Sequence, residues 1–225
     1  MSKDRADFEL LRHRMVEEQL VPRGISDSLV LEAMKTVPRH LFVPEEMINM
    51  AYYDGPLSIG EGQTISQPYI VALMTQLLQL KGHEKVLEIG CGSGYQAAVI
   101  ACIVEKVITI ERHAVLADIA SERLAWLGFD NVTVIVGDGT LGSPAEAPYD
   151  AAIITAAAPD IPPPILEQLV DKGRVVAPVG SLSSQVLQVM QRRGAKWHTE
   201  NSVPVMFVPL IGEHGWDQSR SRFWG

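Results

Sequence analysis

Between Lys85 and Ala101 the chain reads KVLEIGCGSGYQAAVIA. Val86, Leu87 and Ile89 have the apolar character of a short buried strand. Glycines follow at alternate positions (Gly90, Gly92, Gly94), and an apolar helical run begins directly behind them. Glycine has no Cβ, so the backbone there turns sharply and lies close against a ligand. A helix starting at about Ser93 points its unpaired N–H groups at the same spot. Strand, glycine-rich turn and helix in that order describe a nucleotide-type cofactor site.

The chain around this segment supplies the matching sheet. Apolar runs predict strands near 85–89, 106–110, 132–136, 149–155 and 173–178, with helices near 93–103, 114–127 and 162–170. That alternation is the pattern of an α/β fold, a doubly wound, mostly parallel sheet with helices on both faces. Beyond Pro178 the rhythm changes. QVLQVMQRR and SVPVMFVPL read as two strands with a turn near Gly194, an antiparallel C-terminal edge.

The first third reads as a helical N-terminal extension packed on the sheet. Phe8, Leu11, Met15 and Leu20 sit at helical spacing in a segment from about Asp4 to Leu20, with Glu17 and Glu18 on its solvated face. Pro22 and Gly24 break it, and Ser26 or Asp27 caps a second helix through about Val37. Pro38 and Pro44 bracket an extended RHLFV, a short helix follows through Met50, and residues 52–67 show no period. Gln67 and Pro68 then open a helix through about Leu80.

With 225 residues, 47% hydrophobic and 20% charged, the chain can bury a full-sized core. Its formal net charge of -8 argues against a nucleic-acid partner held through phosphates. Trp126, Trp197, Trp216 and Trp224 show no clustering for base stacking. The N-terminal MSKDRADFELLRHRM lacks an apolar signal core, and the longest apolar runs are too short and interrupted to span a membrane. Cys91 and Cys102 read as free thiols in a reducing compartment, so a cytoplasmic protein without a membrane partner is expected, with a monomer as its state. The six histidines (His13, His40, His83, His113, His198, His214) lack ligand spacing, and no metal site is expected.

Two further acids follow their own strands. Glu111 ends VITIE roughly 20 residues beyond Gly90, where an acid accepts hydrogen bonds from ribose hydroxyls. Asp138 and Gly139 lie in GDG just past VTVIV, where an Asp sits beside an adenine amino group. Alone, a strand-end Glu is usually solvated surface and a GDG is usually a turn. Three such features at neighbouring strand ends converge on one crevice. Dinucleotide folds use G-x-G-x-x-G, whereas this chain has Glu88 before G-x-G-x-G; the spacing is the main difficulty for an NAD reading.

The E-x-G-x-G-x-G variant resembles the S-adenosylmethionine-dependent methyltransferases. More narrowly, VPRHLFVP (Val37–Pro44) and GEGQTISQPYIVALM (Gly60–Met74) resemble the protein-L-isoaspartate (D-aspartate) O-methyltransferases. The likeness continues through LEIGCGSGY, the GDG, TAAAP, GRVVAPVG and the closing FVPL, and fades in the tail GEHGWDQSRSRFWG. It implies one methyltransferase domain over 1–225, with the extension and substrate loop over 1–80, the cofactor core over 81–180 and the C-terminal strands and tail over 181–225.

The resemblance further implies methyl transfer from S-adenosylmethionine to the free α-carboxylate of L-isoaspartyl residues in damaged proteins and peptides, which initiates their repair, and leaves open whether D-aspartyl residues are accepted. By the same resemblance, Gln63, Thr64, Ile65, Glu88, Gly90, Gly92, Ser93, Glu111, Asp138 and Gly139 hold the cofactor. Thr64, Ser66 and Val208 meet the substrate, Val208 on an extended edge that receives it as a strand; a core-packing role is an equal reading of Val208. A carboxylate nucleophile with a pKa near ~4 is already ionised at neutral pH, so no general base is required. Ser66 therefore orients the carboxylate and is not itself a nucleophile; capping the following helix is its alternative reading. Two rivals stand beside this: a methyltransferase of the same fold acting on RNA or a metabolite, and a non-catalytic sensor that keeps the cofactor.

Overall fold

A computed structural model describes residues 3–217; Trp224 and the tail beyond residue 217 lie outside the described residues. The chain opens with α1 (Lys3–Arg14), which widens into a π-helical stretch over Met15–Leu20. That wider winding departs from the single helix expected to Leu20. An i→i+5 repeat places Met15 and Leu20 on one face, and both are fully buried, while Glu17 and Glu18 stay exposed. Next comes α2 (Ser28–Thr36), capped by Asp27, whose Oδ1 accepts the N–H groups of Leu29 and Val30 at 2.9 and 3.3 Å.

RHLFV is not extended as expected. Arg39–Phe42 forms a 3₁₀ turn, followed by a second over Glu45–Met50. Arg39 and Phe42 are both fully buried, and residues three apart eclipse in a 3₁₀ turn but face opposite ways in a strand. Arg39 Nε donates to the Ala51 carbonyl at 2.7 Å, and Phe42 meets Tyr95 edge-on with ring centroids 5.4 Å apart. The stretch without a readable period contains an antiparallel hairpin, β1 (Leu57–Gly60) and β2 (Gln63–Ile65). The helix opening at Pro68 is α3 (Pro68–Leu78), which stops at a left-handed Gln79.

The central sheet is built from β3 (Lys85–Ile89), β4 (Lys106–Glu111), β5 (Val132–Val136), β6 (Tyr149–Ile154), β7 (Leu169–Ser181), β8 (Ser184–Arg193) and β9 (Lys196–Val205). Their order is β5-β4-β3-β6-β7-β8-β9, parallel from β5 to β7 and antiparallel over the last three. Connecting helices are α4 (Tyr95–Ala101), α5 (Ala114–Trp126) and a short α6 (Pro163–Glu167). The helix expected over 162–170 shortens because β7 begins at Leu169 and crosses an irregularity before pairing Ala151 with Arg174. From β3 the chain winds outward through β4 and β5, then returns to place β6 on the other side of β3. That reversal opens a crevice at the carboxyl ends of these strands.

Strand alternation separates two apolar layers. Val86, Val107, Ala151 and Ile153 join Met15, Met34, Phe42, Tyr95 and Ile100 on one face. Leu87, Ile89, Ile108, Ile110, Ala152 and Ile154 join Ile161, Ile165 and Leu210 on the other. Burying each large aliphatic side chain is worth about 1.5–3 kcal/mol, so both faces hold the sheet and the N-terminal helices belong to the first layer. Among the described residues, no helix is long and apolar enough to cross a membrane.

The last expected strand is displaced toward the N-terminus. It ends at Val205, and FVPL leaves the sheet edge. The Val208 carbonyl instead accepts the Ala157 N–H at 2.8 Å, and Leu210 N–H donates to the Ala157 carbonyl at 2.7 Å. Val208 thus lies against the segment after β6 and not on an edge strand. Pro209, which lacks an N–H, bridges to Ala157 between these bonds.

Candidate functional site

The turn after β3 requires its glycines. Gly90, Gly92 and Gly94 all adopt positive φ, at 95, 53 and 87°. A Cβ at Gly90 would stand 2.4 Å from Thr155 Oγ1, whose hydroxyl donates to the Gly90 carbonyl at 2.6 Å. The helix behind this turn begins at Tyr95, two residues later than expected. Ser93 is buried in the turn; its Oγ accepts the Tyr95 N–H at 3.3 Å, and Arg123 Nη1 donates to its carbonyl at 2.8 Å.

Glu111, at the carboxyl end of β4, is the carboxylate that this turn closes around. Its Oε2 accepts the Gly92 N–H at 2.9 Å and its Oε1 accepts the His113 N–H at 2.9 Å. A carboxylate offers about four lone-pair sites, so each oxygen retains acceptor capacity for a ligand hydroxyl. Glu111 lines a cavity of about 60 Å³ together with Gly90, Gly92, Gly139, Gln63 and Thr64. Its wall at Gly139 has no room for a side chain, since a Cβ there would lie 2.4 Å from Ile89 Cγ2.

Two of the expected acids are placed differently. Glu88 lines none of the cavities at this end of the sheet. It is fully buried on the same strand face as Val86, where Thr109 Oγ1 donates to its Oε2 and Oε1 has no partner among the described residues. Burial pushes its carboxyl up to about 8 despite the Thr109 hydrogen bond, and Glu111 nearby adds to the rise. Asp138 does not line the crevice, and its carboxylate is engaged by the chain itself. Its Oδ1 accepts Thr140 N–H and Oγ1 at 2.9 and 2.7 Å, and its Oδ2 accepts Glu213 N–H at 2.8 Å. Partial burial raises this carboxyl, but the hydrogen bonds from Glu213 and Thr140 outweigh it and hold the group below the usual value.

The β1–β2 hairpin roofs the crevice. Ile59 Cδ1 lies 3.4 Å from the position of a Cβ on Gly92, and Glu61 Oε2 is 3.7 Å from His113 Nδ1. Thr64 and Thr155 line the crevice, a small adjoining cavity of about 40 Å³ and an open groove of about 710 Å³. Ser66 lines both the small cavity and the groove, Ile65 the small cavity, and Val208 both the crevice and the groove. The groove is the larger space, and the buried carboxylate and the glycine turn belong to the crevice.

Ser66 does not cap α3. The cap position is Gln67, without a side-chain cap hydrogen bond, and no hydrogen bond engages the Ser66 hydroxyl among the described residues. Residue-by-residue reading passed over Thr155; its signal was the TAAAP that opens directly after β6. Among the described residues no group of three or more His, Cys, Asp and Glu is arranged to hold a metal. Cys91 and Cys102 are free, and burial pushes the Cys91 thiol well above its ordinary value.

Comparison with known proteins agrees with this geometry. The family model described as protein-L-isoaspartate(D-aspartate) O-methyltransferase matches residues 11–215. Protein-L-isoaspartate O-methyltransferase 1 of Syntrophobacter fumaroxidans is 54% identical over 211 residues, covering 94% of this chain and 99% of that one. A protein-L-isoaspartate O-methyltransferase of Methanoregula boonei is 54% identical over 206 residues, covering 92% and 95%. A solved protein-L-isoaspartate O-methyltransferase superposes with a TM-score of 0.83 at 28% identity, over 91% of this chain and 67% of that one. A Plasmodium falciparum protein described as a putative member, in complex with S-adenosyl-L-homocysteine, gives 0.77 at 25% identity over 89% and 98%. The chain belongs to the protein-L-isoaspartate(D-aspartate) O-methyltransferase family.

Proposed function

We propose that this chain methylates the free α-carboxylate of L-isoaspartyl residues in damaged proteins and peptides, with S-adenosylmethionine as donor. The observation that carries the reading is the Ser66 hydroxyl, unengaged among the described residues, where the small cavity beside the crevice meets the open groove. The groups lining the crevice suit the donor's nucleoside. Glu111 keeps acceptor capacity for ribose hydroxyls, and Gly90 and Gly139 line the same crevice. When bound, S-adenosylmethionine supplies an electrophilic sulfonium methyl.

The chain's own task is alignment. An isoaspartyl carboxylate with a pKa near ~4 arrives ionised, so no proton has to be removed. Ser66 donates a hydrogen bond that turns one carboxylate oxygen toward the crevice, and Thr64 supports it from the same strand end. The hairpin excludes water, which otherwise competes for the carboxylate and weakens its contacts. Asp138 serves by fixing the Gly139 turn, and Glu88 by filling the layer beneath the glycine turn. The same reading places a single-domain monomer in the cytoplasm, a reducing setting compatible with two free thiols.

The deciding experiment offers labelled S-adenosylmethionine with two peptides that differ only in an isoaspartyl or aspartyl linkage. Base-labile label on the isoaspartyl peptide alone is expected. Equal labelling of both, or label on added RNA instead, overturns the proposal.

A further inference from the structure

We infer that Arg23 is a specificity-determining residue, favouring peptides that carry an acidic side chain beside the isoaspartyl residue. The inference rests on the function proposed above. Arg23 is the one charged side chain among the described residues lining the open groove. The opposite wall is neutral, formed by Ser183, Ser184, Gln185 and the Val203–Phe207 stretch. On a chain with a formal net charge of -8, Arg23 is the positive group that this otherwise uncharged groove presents to a ligand.

Its geometry is fixed before any peptide arrives. The guanidinium carbon lies 3.4 Å from the Tyr69 ring centroid, and Nη1 donates to the Asp54 carboxylate. Asp54 is itself anchored, since its Oδ1 accepts the Tyr69 N–H at 3.0 Å and Gln67 Nε2 donates to its Oδ2 at 3.4 Å. Arg23 thereby stands on the chain segment that directly follows Ser66. Asp54 sits behind it, with a side chain 21% exposed against 43% for Arg23, and does not line the groove. The Nε and Nη2 donors carry no hydrogen bond among the described residues. A pre-ordered planar donor set loses little freedom on meeting a carboxylate, which is where arginine outperforms a flexible lysine. The peptide thus meets two recognition points along one wall: Ser66 for the reacting carboxylate and Arg23 for a second, neighbouring one.

The test uses three isoaspartyl peptides identical except for Glu, Gln or Lys at the residues flanking the isoaspartate, assayed by methyl transfer. For the unaltered protein, KM for the Glu peptide is expected about five-fold below that for the Lys peptide, as a partly exposed charge pair gives. Raising the salt concentration should compress that ratio. In Arg23→Gln the Lys-to-Glu KM ratio should fall to about one, and Arg23→Lys should restore part of it. Because each ratio is taken within one protein, loss of folded enzyme leaves it unaltered. A ratio near one in the unaltered protein, or an unchanged ratio in Arg23→Gln, overturns the inference and leaves the isoaspartyl reading intact. Absence of label on all three peptides overturns the reading beneath it as well.

Discussion

Ser66 and Glu88 show how differently two polar residues are used within one motif-rich region. Ser66 presents a hydroxyl that no protein group engages among the described residues, at the boundary between two spaces. Removing one hydrogen bond to a charged oxygen is worth about 1.5–3 kcal/mol. Ser66→Ala should therefore lower kcat by about 10–100-fold while leaving the affinity for S-adenosylmethionine within about two-fold. Stopped-assay kinetics with calorimetric cofactor titration would separate these, and lost cofactor affinity with unchanged kcat would refute the orienting role. Glu88 is a matter of stability. Its folded carboxyl is raised from 4.5 to about 8, so from about pH 4.5 to 8 the unfolded chain releases a proton that the folded chain retains. Stability falls with rising pH across that window and levels off above it. Glu88→Gln, neutral at every pH, should flatten this dependence and stabilise the protein by a few kcal/mol more at pH 8 than at pH 5. Urea titrations at the two pH values would show it; parallel shifts at both would contradict it. Sequence spacing put this acid beside the glycine turn, but strand alternation sends its side chain to the face of Val86 instead of into the crevice.

At the level of elements, the strand–glycine–helix unit was legible because its conformation admits few other residues. Gly90→Ala tests that: a methyl at φ 95° would also meet Thr155 Oγ1 at 2.4 Å. Backbone strain alone costs about 1–3 kcal/mol, so a lower melting temperature and lost cofactor binding are expected. A variant that binds normally would show that the turn tolerates a side chain. The parallel strands were equally plain, since buried strands read as continuous apolar runs. RHLFV was not, because its conformation is chosen by distant partners: Ala51 for Arg39 and Tyr95 for Phe42. The hairpin over the crevice escaped notice because two strands of four and three residues carry too little periodicity. The place of Val208 off the expected extended edge was hidden for a similar reason, as the exit of FVPL from the sheet edge is set by hydrogen bonds to Ala157, far away in sequence.

Across the whole molecule, the apolar layer that joins the N-terminal helices to the sheet makes them one cooperative structure. Phe42, fully buried between these parts, reports on it. Phe42→Ala should remove about 3–5 kcal/mol from the entire unfolding transition, which should remain single in calorimetry. An early separate melting of the helical segment would instead mark it as an independent domain. The roofed crevice beside an open groove also has a kinetic meaning. On the proposed function, the peptide would occupy the outer space and leave without moving the hairpin, whereas the nucleoside beneath would wait for the roof to lift. Binding and release should then be ordered, with donor first in and spent donor last out. Demethylated donor should compete with fresh donor but not with peptide. Turnover on good substrates should follow the hairpin's opening rate, and the cell's clearance of spent donor would become a throttle on repair.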